Sequence, residues 1–196
     1  PYKRPDFILR AIEEMSSRNI FFVLGGKAHP QDGVGLEYMR LFRKMHLEHE
    51  NVVYIPDYDV ASAKEILKSA DLLLFTPFSG WEACGTSYMK AGINGVPSLS
   101  SHDGGAVELI TDNVNGWLFG THLRELIELH SDAAGEINRH DYSEFKKRLS
   151  EIDIMNRDKL EKYYKVSLNA LTTFNQRVNI ERTLKEYYRD MIKTSV

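Results

Sequence analysis

IFFVLGGKAHPQDGVGLEYMRLFRKMH, residues 20–46, is the stretch on which the fold assignment turns. Its β-branched and aromatic run, IFFVLGG (20–26), ends in paired glycines, as a buried strand does before a tight turn. Beyond a short loop, VGLEYMRLFRKMH (34–46) places Leu36, Met39, Leu41, Phe42 and Met45 at helical spacing. VVYI (52–55) predicts a second strand and VASAKEILKSA (60–70) a second helix. LLLF (72–75) is a continuous apolar run, as expected of a strand covered on both faces. A helix near 86–94, a strand PSLS (97–100), a short helix AVELI (106–110) and a strand GWLF (116–119) follow. Strand–helix alternation with short connections predicts an α/β fold, a doubly wound, Rossmann-like parallel sheet. Ligands in such sheets bind beyond the carboxyl ends of the strands. The loops at 25–32, 56–59, 76–86 and 101–105 are therefore the ones to examine.

The pattern changes from Leu123, where strand runs cease. Ile180, Leu184, Tyr187, Tyr188, Met191 and Ile192 follow helical spacing. The expected organisation is an α/β domain over 1–122 and a helical extension over 123–196, packed on the sheet and reaching toward a partner domain. With 196 residues, 42% of them hydrophobic and 27% charged, the chain can bury a sizeable core. A net charge of −3 without a long basic run gives no case for nucleic acid, and no apolar stretch is long enough for a membrane helix. The single cysteine, Cys84, fits a reducing cytoplasm. No Cys/His or paired-carboxylate spacing suggests a metal site. The opening PYKRPDF has neither an initiator methionine nor a signal-peptide pattern, so the chain is expected to be part of a longer protein.

Chemistry concentrates in EACGTSYMK, residues 82–90. The Gly85-Thr86-Ser87 turn opens a helix, leaving backbone N–H groups where the helix dipole favours an anion. A plain helix cap would look the same. Lys90 lies one helical turn beyond Thr86. Most such lysines are solvated, but one held over an anion site can form a Schiff base with an aldehyde cofactor. Pyridoxal phosphate carries both an aldehyde and a phosphate. Glu82 is either a solvated carboxylate or an acceptor for sugar hydroxyls. Cys84 has no histidine near it in sequence and reads as a small buried residue rather than a nucleophile.

In order, YKRP, GGKAHP (25–30), PDYDVASAKEI (56–66) and EACGTSYMKAGINGVPSLSSHDGG (82–105) resemble the α-glucan phosphorylases, the glycogen, starch and maltodextrin enzymes, from Tyr2 to Gly120. The resemblance implies the C-terminal half of a GT-B glycosyltransferase architecture, with residues 1–122 as its cofactor- or donor-binding domain. It implies pyridoxal phosphate on Lys90, its phosphate cradled by Gly85, Thr86 and Ser87, and Tyr58 close by. Lys3 would bind the phosphate substrate, while Glu82, Cys84 and Gly85 would meet the reacting glucose. The implied reaction is phosphorolysis of α-1,4-glucan to glucose 1-phosphate with retention. Lys90, Lys3 and Glu82 would be the catalytic set, and an N-terminal GT-B domain would complete the cleft. A homo-oligomer is a further implied partner. Cys84 replaces the family's usual serine, Tyr88 is bulkier than expected, and the resemblance weakens after Gly120.

The alternative is a retaining GT-B glycosyltransferase of the glycogen synthase kind, using a nucleotide sugar. SSHDGGAVELITDNVNGWLFG resembles that group too. Such transferases carry a second glutamate eight positions after the first, where this chain has Lys90. A lysine accepts no hydrogen bond, so it cannot hold ribose hydroxyls as an acid does. The swap favours the phosphorylase. His29 and His102 lie in loops at the ligand edge, with contact roles left open.

Overall fold

A computed structural model describes residues 2–15 and 19–193. Five short strands are all parallel where they pair: β1 (Phe22–Gly25) with β2 (Val52–Ile55), and β3 (Leu73–Phe75), β4 (Ser98–Ser101) and β5 (Trp117–Phe119) in that spatial order. Register runs Phe22↔Val52, Leu74↔Leu99 and Leu99↔Trp117. The helices are α1 (Pro5–Met15), α2 (Gly33–Glu48), α3 (Val60–Ser69), α4 (Thr86–Gly92), α5 (Gly104–Leu109), α6 (Asp132–Asp158), α7 (Leu160–Arg177) and α8 (Ile180–Lys193). This is the expected doubly wound α/β architecture, with parallel strands and a helical tail.

Helix α1 joins the two strand groups. Phe7, Ala11 and Met15 pack with Leu99, Trp117, Phe119, Phe145 and Leu149, while Leu9 and Ile12 pack with Phe22, Leu24, Val52 and Tyr54. Ile8, Ile20 and Leu74 border both clusters, so the apolar interior is continuous. Helices α6 and α7 lend Tyr142, Phe145, Leu149, Ile152, Tyr163 and Val166 to that same interior. The tail as far as Arg177 is thus part of the core. Gly92 lets α4 lie directly on α7, because a Cβ there would overlap the Phe174 ring.

Two strands differ from expectation. Strand β1 buries only Phe22 and Leu24, leaving Val23 and the preceding Phe21 exposed, and α3 buries no residue. The strand buried at every position is β4, SLSS, rather than β3. Its hydroxyls are mostly satisfied internally: Ser100 Oγ donates to the Ser101 carbonyl and Ser101 Oγ to the Pro77 carbonyl. Helix α8 departs most from a tail packed on the sheet. Ile180, Leu184, Tyr187, Tyr188, Met191 and Ile192 are all at least half exposed. Among the described residues, no helix is long and apolar enough to cross a membrane.

Candidate functional site

The loops after β3 and β4 are clasped together at the strands' carboxyl ends. Asp103, 5% exposed, accepts from the Gly80 amide through Oδ1 and the Glu82 amide through Oδ2, each at 2.7 Å. Burial raises the Asp103 pKa, while these amide donors oppose the rise. Gly104 follows with φ +43, and a Cβ there would run into the Glu82 and Ala83 carbonyl oxygens. The Gly105 amide then donates to Ala83 O at 2.8 Å. The backbone of 80–84 is held from one side by Asp103-Gly104-Gly105, which fixes where Glu82 points.

The amino-terminal segment supplies the other wall. Tyr2 Oη donates to Glu82 Oε2 at 2.9 Å, and Lys3 Nζ lies 3.3 Å from the same oxygen. Both contacts use Oε2, so Oε1 keeps its capacity to accept. Lys3 is exposed whereas the Glu82 side chain is only 12% so. The segment is pinned by Arg4, whose guanidinium donates to the Thr76 and Pro77 carbonyls, to Asn138 and to Asp141. Phe7, Phe78 and Phe119 surround it. Burial lowers the Arg4 pKa, opposed by Asp141.

Helix α4 begins at Gly85 without a side-chain cap. Gly85 is buried because Phe75 and Tyr88 occupy the space of a Cβ. Thr86, Ser87 and Lys90 are exposed, and the Lys90 ammonium makes no hydrogen bond or ion pair with another described residue. Uncapped amides, two hydroxyls and an unpaired amine one turn on form a set of donors with no resident acceptor. Tyr88 turns the other way: it is fully buried, edge-on to Phe75 at 5.1 Å, and its pKa is held well above the ordinary value by burial. Gly105 makes this possible, since a Cβ there would sit 2.7 Å from the Tyr88 hydroxyl. The bulk of Tyr88 is therefore absorbed by the core and not presented to the loop. Cys84, expected to be buried, is instead exposed, because Tyr88 takes the interior position beside it; its Sγ lies 3.6 Å from Tyr88 Oη.

The fold thus brings Lys3 to Glu82 and strings Cys84, Gly85, Thr86, Ser87 and Lys90 along one loop and helix. Tyr58 packs on Gly25, where a Cβ would lie 2.6 Å from its ring, in the loop that leads into α3, a neighbour of α4. His102 Nδ1 faces the Phe119 and Gly120 carbonyls, so that nitrogen carries the proton, and its ring stacks on His122. His29 is exposed, its Nδ1 accepting from the Gln31 amide. Sequence reasoning missed Tyr2, Arg4, Asp103 and Gly104. The Asp103-Gly104-Gly105 turn stood within the quoted motif, but its clasp on residues 80–84 has no local signature.

The family model for carbohydrate phosphorylase matches residues 9–193. Maltodextrin phosphorylase of Thermococcus litoralis is 37% identical over 128 residues, covering 61% of this chain and 15% of its own length. Glycogen phosphorylase of Aquifex aeolicus is 34% identical over 146 residues, covering 70% of this chain and 21% of its own. The chain therefore spans only about a fifth or less of these relatives. Among solved structures, Anabaena HepE in complex with UDP-glucose superposes over 99% of this chain and 46% of that one, with TM-score 0.68 and 19% identity. At that identity the likeness is one of fold.

Proposed function

We propose, from the premise that this chain belongs to the carbohydrate phosphorylase family, that it is the cofactor-carrying part of an α-glucan phosphorylase. The reaction is cleavage of α-1,4-glucan by inorganic phosphate to glucose 1-phosphate, with retention. The observation that carries this reading is the unsatisfied donor set from Gly85 to Lys90. Pyridoxal phosphate fits it: Lys90 for covalent attachment, Gly85, Thr86 and Ser87 for the phosphate, and Tyr58 alongside. Bound there, it would supply a phosphate group able to exchange a proton with the substrate phosphate.

The chain's own residues position the reactants. Lys3 attracts the phosphate substrate, and its ion pair with Glu82 keeps that ammonium beside the sugar carboxylate. Glu82, steadied through Oε2 by Tyr2 and Lys3, accepts a glucose hydroxyl through Oε1. Cys84 and Gly85 line the same sugar. A nucleotide-sugar transferase would need an acceptor where Lys90 stands, which counts against that reading. The partition into a cofactor- or donor-binding part, 1–122, and a helical extension, 123–196, is one of role, since α6 and α7 share the sheet's core. We place the protein in the cytoplasm, where a free, exposed Cys84 persists.

Borohydride reduction after addition of pyridoxal phosphate, followed by peptide mapping, tests the assignment. The label is expected on Lys90 and should vanish in Lys90→Ala. Diffuse labelling of surface lysines in the full-length protein would remove the cofactor from this site. The same reading assigns the exposed apolar face of α8 to the N-terminal GT-B domain of the longer protein. Amide exchange across 184–192 should slow markedly in the full-length protein relative to this chain. Equal exchange in both would mean that the domain docks elsewhere.

A further inference from the structure

The two strand groups meet along a seam of unpaired edges. Among the described residues β1 pairs only with β2, β3 pairs only with β4, and no ladder joins β1 to β3. The Phe22 amide donates to Asn51 O, the Gly26 amide to Ile55 O and the Leu73 amide to Pro97 O. Successive peptide groups of an extended strand point to opposite sides, so the amides of Val23, Gly25 and Leu74 point away from their ladders. Helix α1 spans the seam, and Ile8 and Leu74 touch the apolar clusters on both sides of it. Two open edges in the middle of an apolar core are unlike the charged or covered edges at which natural sheets end.

Two further observations say which segment fits there. Helices α1 and α2 lie on one face of β1, since Leu9 and Ile12 share a cluster with Met39, Phe42 and Met45 around Phe22 and Leu24. Crossovers between parallel strands are right-handed, so two on one face step through the sheet in a single direction. A strand leading into α1 therefore lies beside β1 on the side away from β2. The second observation is the path of the chain into α1. The Phe78 amide donates to Tyr2 O at 2.7 Å, and Thr76 Oγ1 donates to Lys3 O at 2.8 Å. Residues 2–3 thus run beside the loop at the carboxyl end of β3, where a strand parallel to β3 would finish.

We propose that the seam receives one further parallel strand, the polypeptide that runs into Tyr2 in the longer protein, paired with β1 on one side and β3 on the other. The chain spans 15% and 21% of the two relatives' lengths, which leaves ample polypeptide to supply it. The sheet order then runs β2, β1, the added strand, β3, β4, β5, the common order of doubly wound sheets, and it reverses between the added strand and β3. Ligands of such sheets bind at that reversal. The segments leaving the two strands there, residues 2–3 and 76–86, meet at Glu82. Docking of the strand is thus a positioning device for the Lys3–Glu82 pair, whichever cofactor or donor the site takes.

Amide exchange followed by NMR compares this chain with one extended by the about ten residues that precede it in the full-length protein, enough for an average strand and its approach. In the unextended chain Val23, Gly25 and Leu74 should exchange at least about a hundredfold faster than Leu24 and Phe75, whose amides face a ladder. The extension should slow all three to the rate of their neighbours and give interstrand NOEs to Val23 and Leu74. It should also order the backbone of Tyr2 and Lys3. Mass-spectrometric exchange of the full-length protein should show the same protection at 23–25 and 74. A shuffled extension should have none of these effects, and Lys90→Ala should leave them all in place, so failure of the cofactor assignment would not disturb them. Slow exchange at the three amides without the extension would overturn the proposal. So would an extension that stays disordered or pairs with the outer edge of β2 or β5. Protection that rises with protein concentration would overturn it in favour of a second copy of this chain.

Discussion

Arg4→Met is expected to destabilise the protein by about 3–5 kcal/mol, the cost of stranding a buried charge. Arg4 is 3% exposed and Asp141 1%, and their side chains meet at 2.7 Å. Among the described residues, Asp141 would keep only the Thr121 amide and hydroxyl as donors, both to its Oδ1. The Thr76 and Pro77 carbonyls would lose their guanidinium donors as well. Methionine fills the volume between Phe7, Phe78 and Phe119, so the loss is one of polar pairing rather than packing. Adding Asp141→Leu should recover a large share, because an apolar pair carries no stranded charge. Denaturant unfolding of the three proteins measures this. A single variant within about 1 kcal/mol of wild type would mean that water reaches Asp141 and the anchor is not dry.

Gly104→Ala is expected to combine a stability loss of roughly 1–3 kcal/mol with displacement of the Glu82 carboxylate, the proposed sugar acceptor. Two causes add. The backbone stands at φ +43, where an L side chain is strained, and a Cβ would collide with the carbonyl oxygens of Glu82 and Ala83. Those are backbone atoms, tied back through the Asp103 bonds to the Gly80 and Glu82 amides, so they cannot turn aside as a flexible side chain could. Relief requires the whole 80–84 loop to move away from β4. Amide shifts and exchange at 80–84 should change together with thermal stability, and sugar affinity should drop with them. Gly33→Ala is the control: nothing lies within 4 Å of the new methyl, and both readouts should stay put. An unaltered loop in Gly104→Ala would show that the clasp is looser than its geometry.

Much of the fold was legible because its signals are local. The apolar runs at 20–26, 52–55, 72–75, 97–100 and 116–119 each overlap the strand that forms, to within two residues at either end. The glycine turn and lysine of 85–90 were equally readable, since helical geometry alone puts Lys90 one turn past Thr86. Tyr88 was legible as a departure from the family pattern but not in its consequence. Only the position of Gly105, seventeen residues on, shows that the ring is buried. Helix α8 was read correctly as a helix and wrongly as packed, because periodicity marks an apolar face without saying what covers it.

The alternating α/β order, the helical tail and the Gly85–Lys90 turn with its lysine one helical turn on were therefore set locally along the chain. These depend on neighbours within about two helical turns, and chain geometry sets them. Tertiary structure alone decided that Lys3 and Tyr2 meet Glu82, that Asp103 and Gly104 hold the loop carrying it, and that Arg4 ties the first helix to Asp141. A buried polar group takes whichever partner packing delivers, and here those partners come from 21 to 137 residues away. Residue type announces the need for a partner, and only the folded chain supplies it.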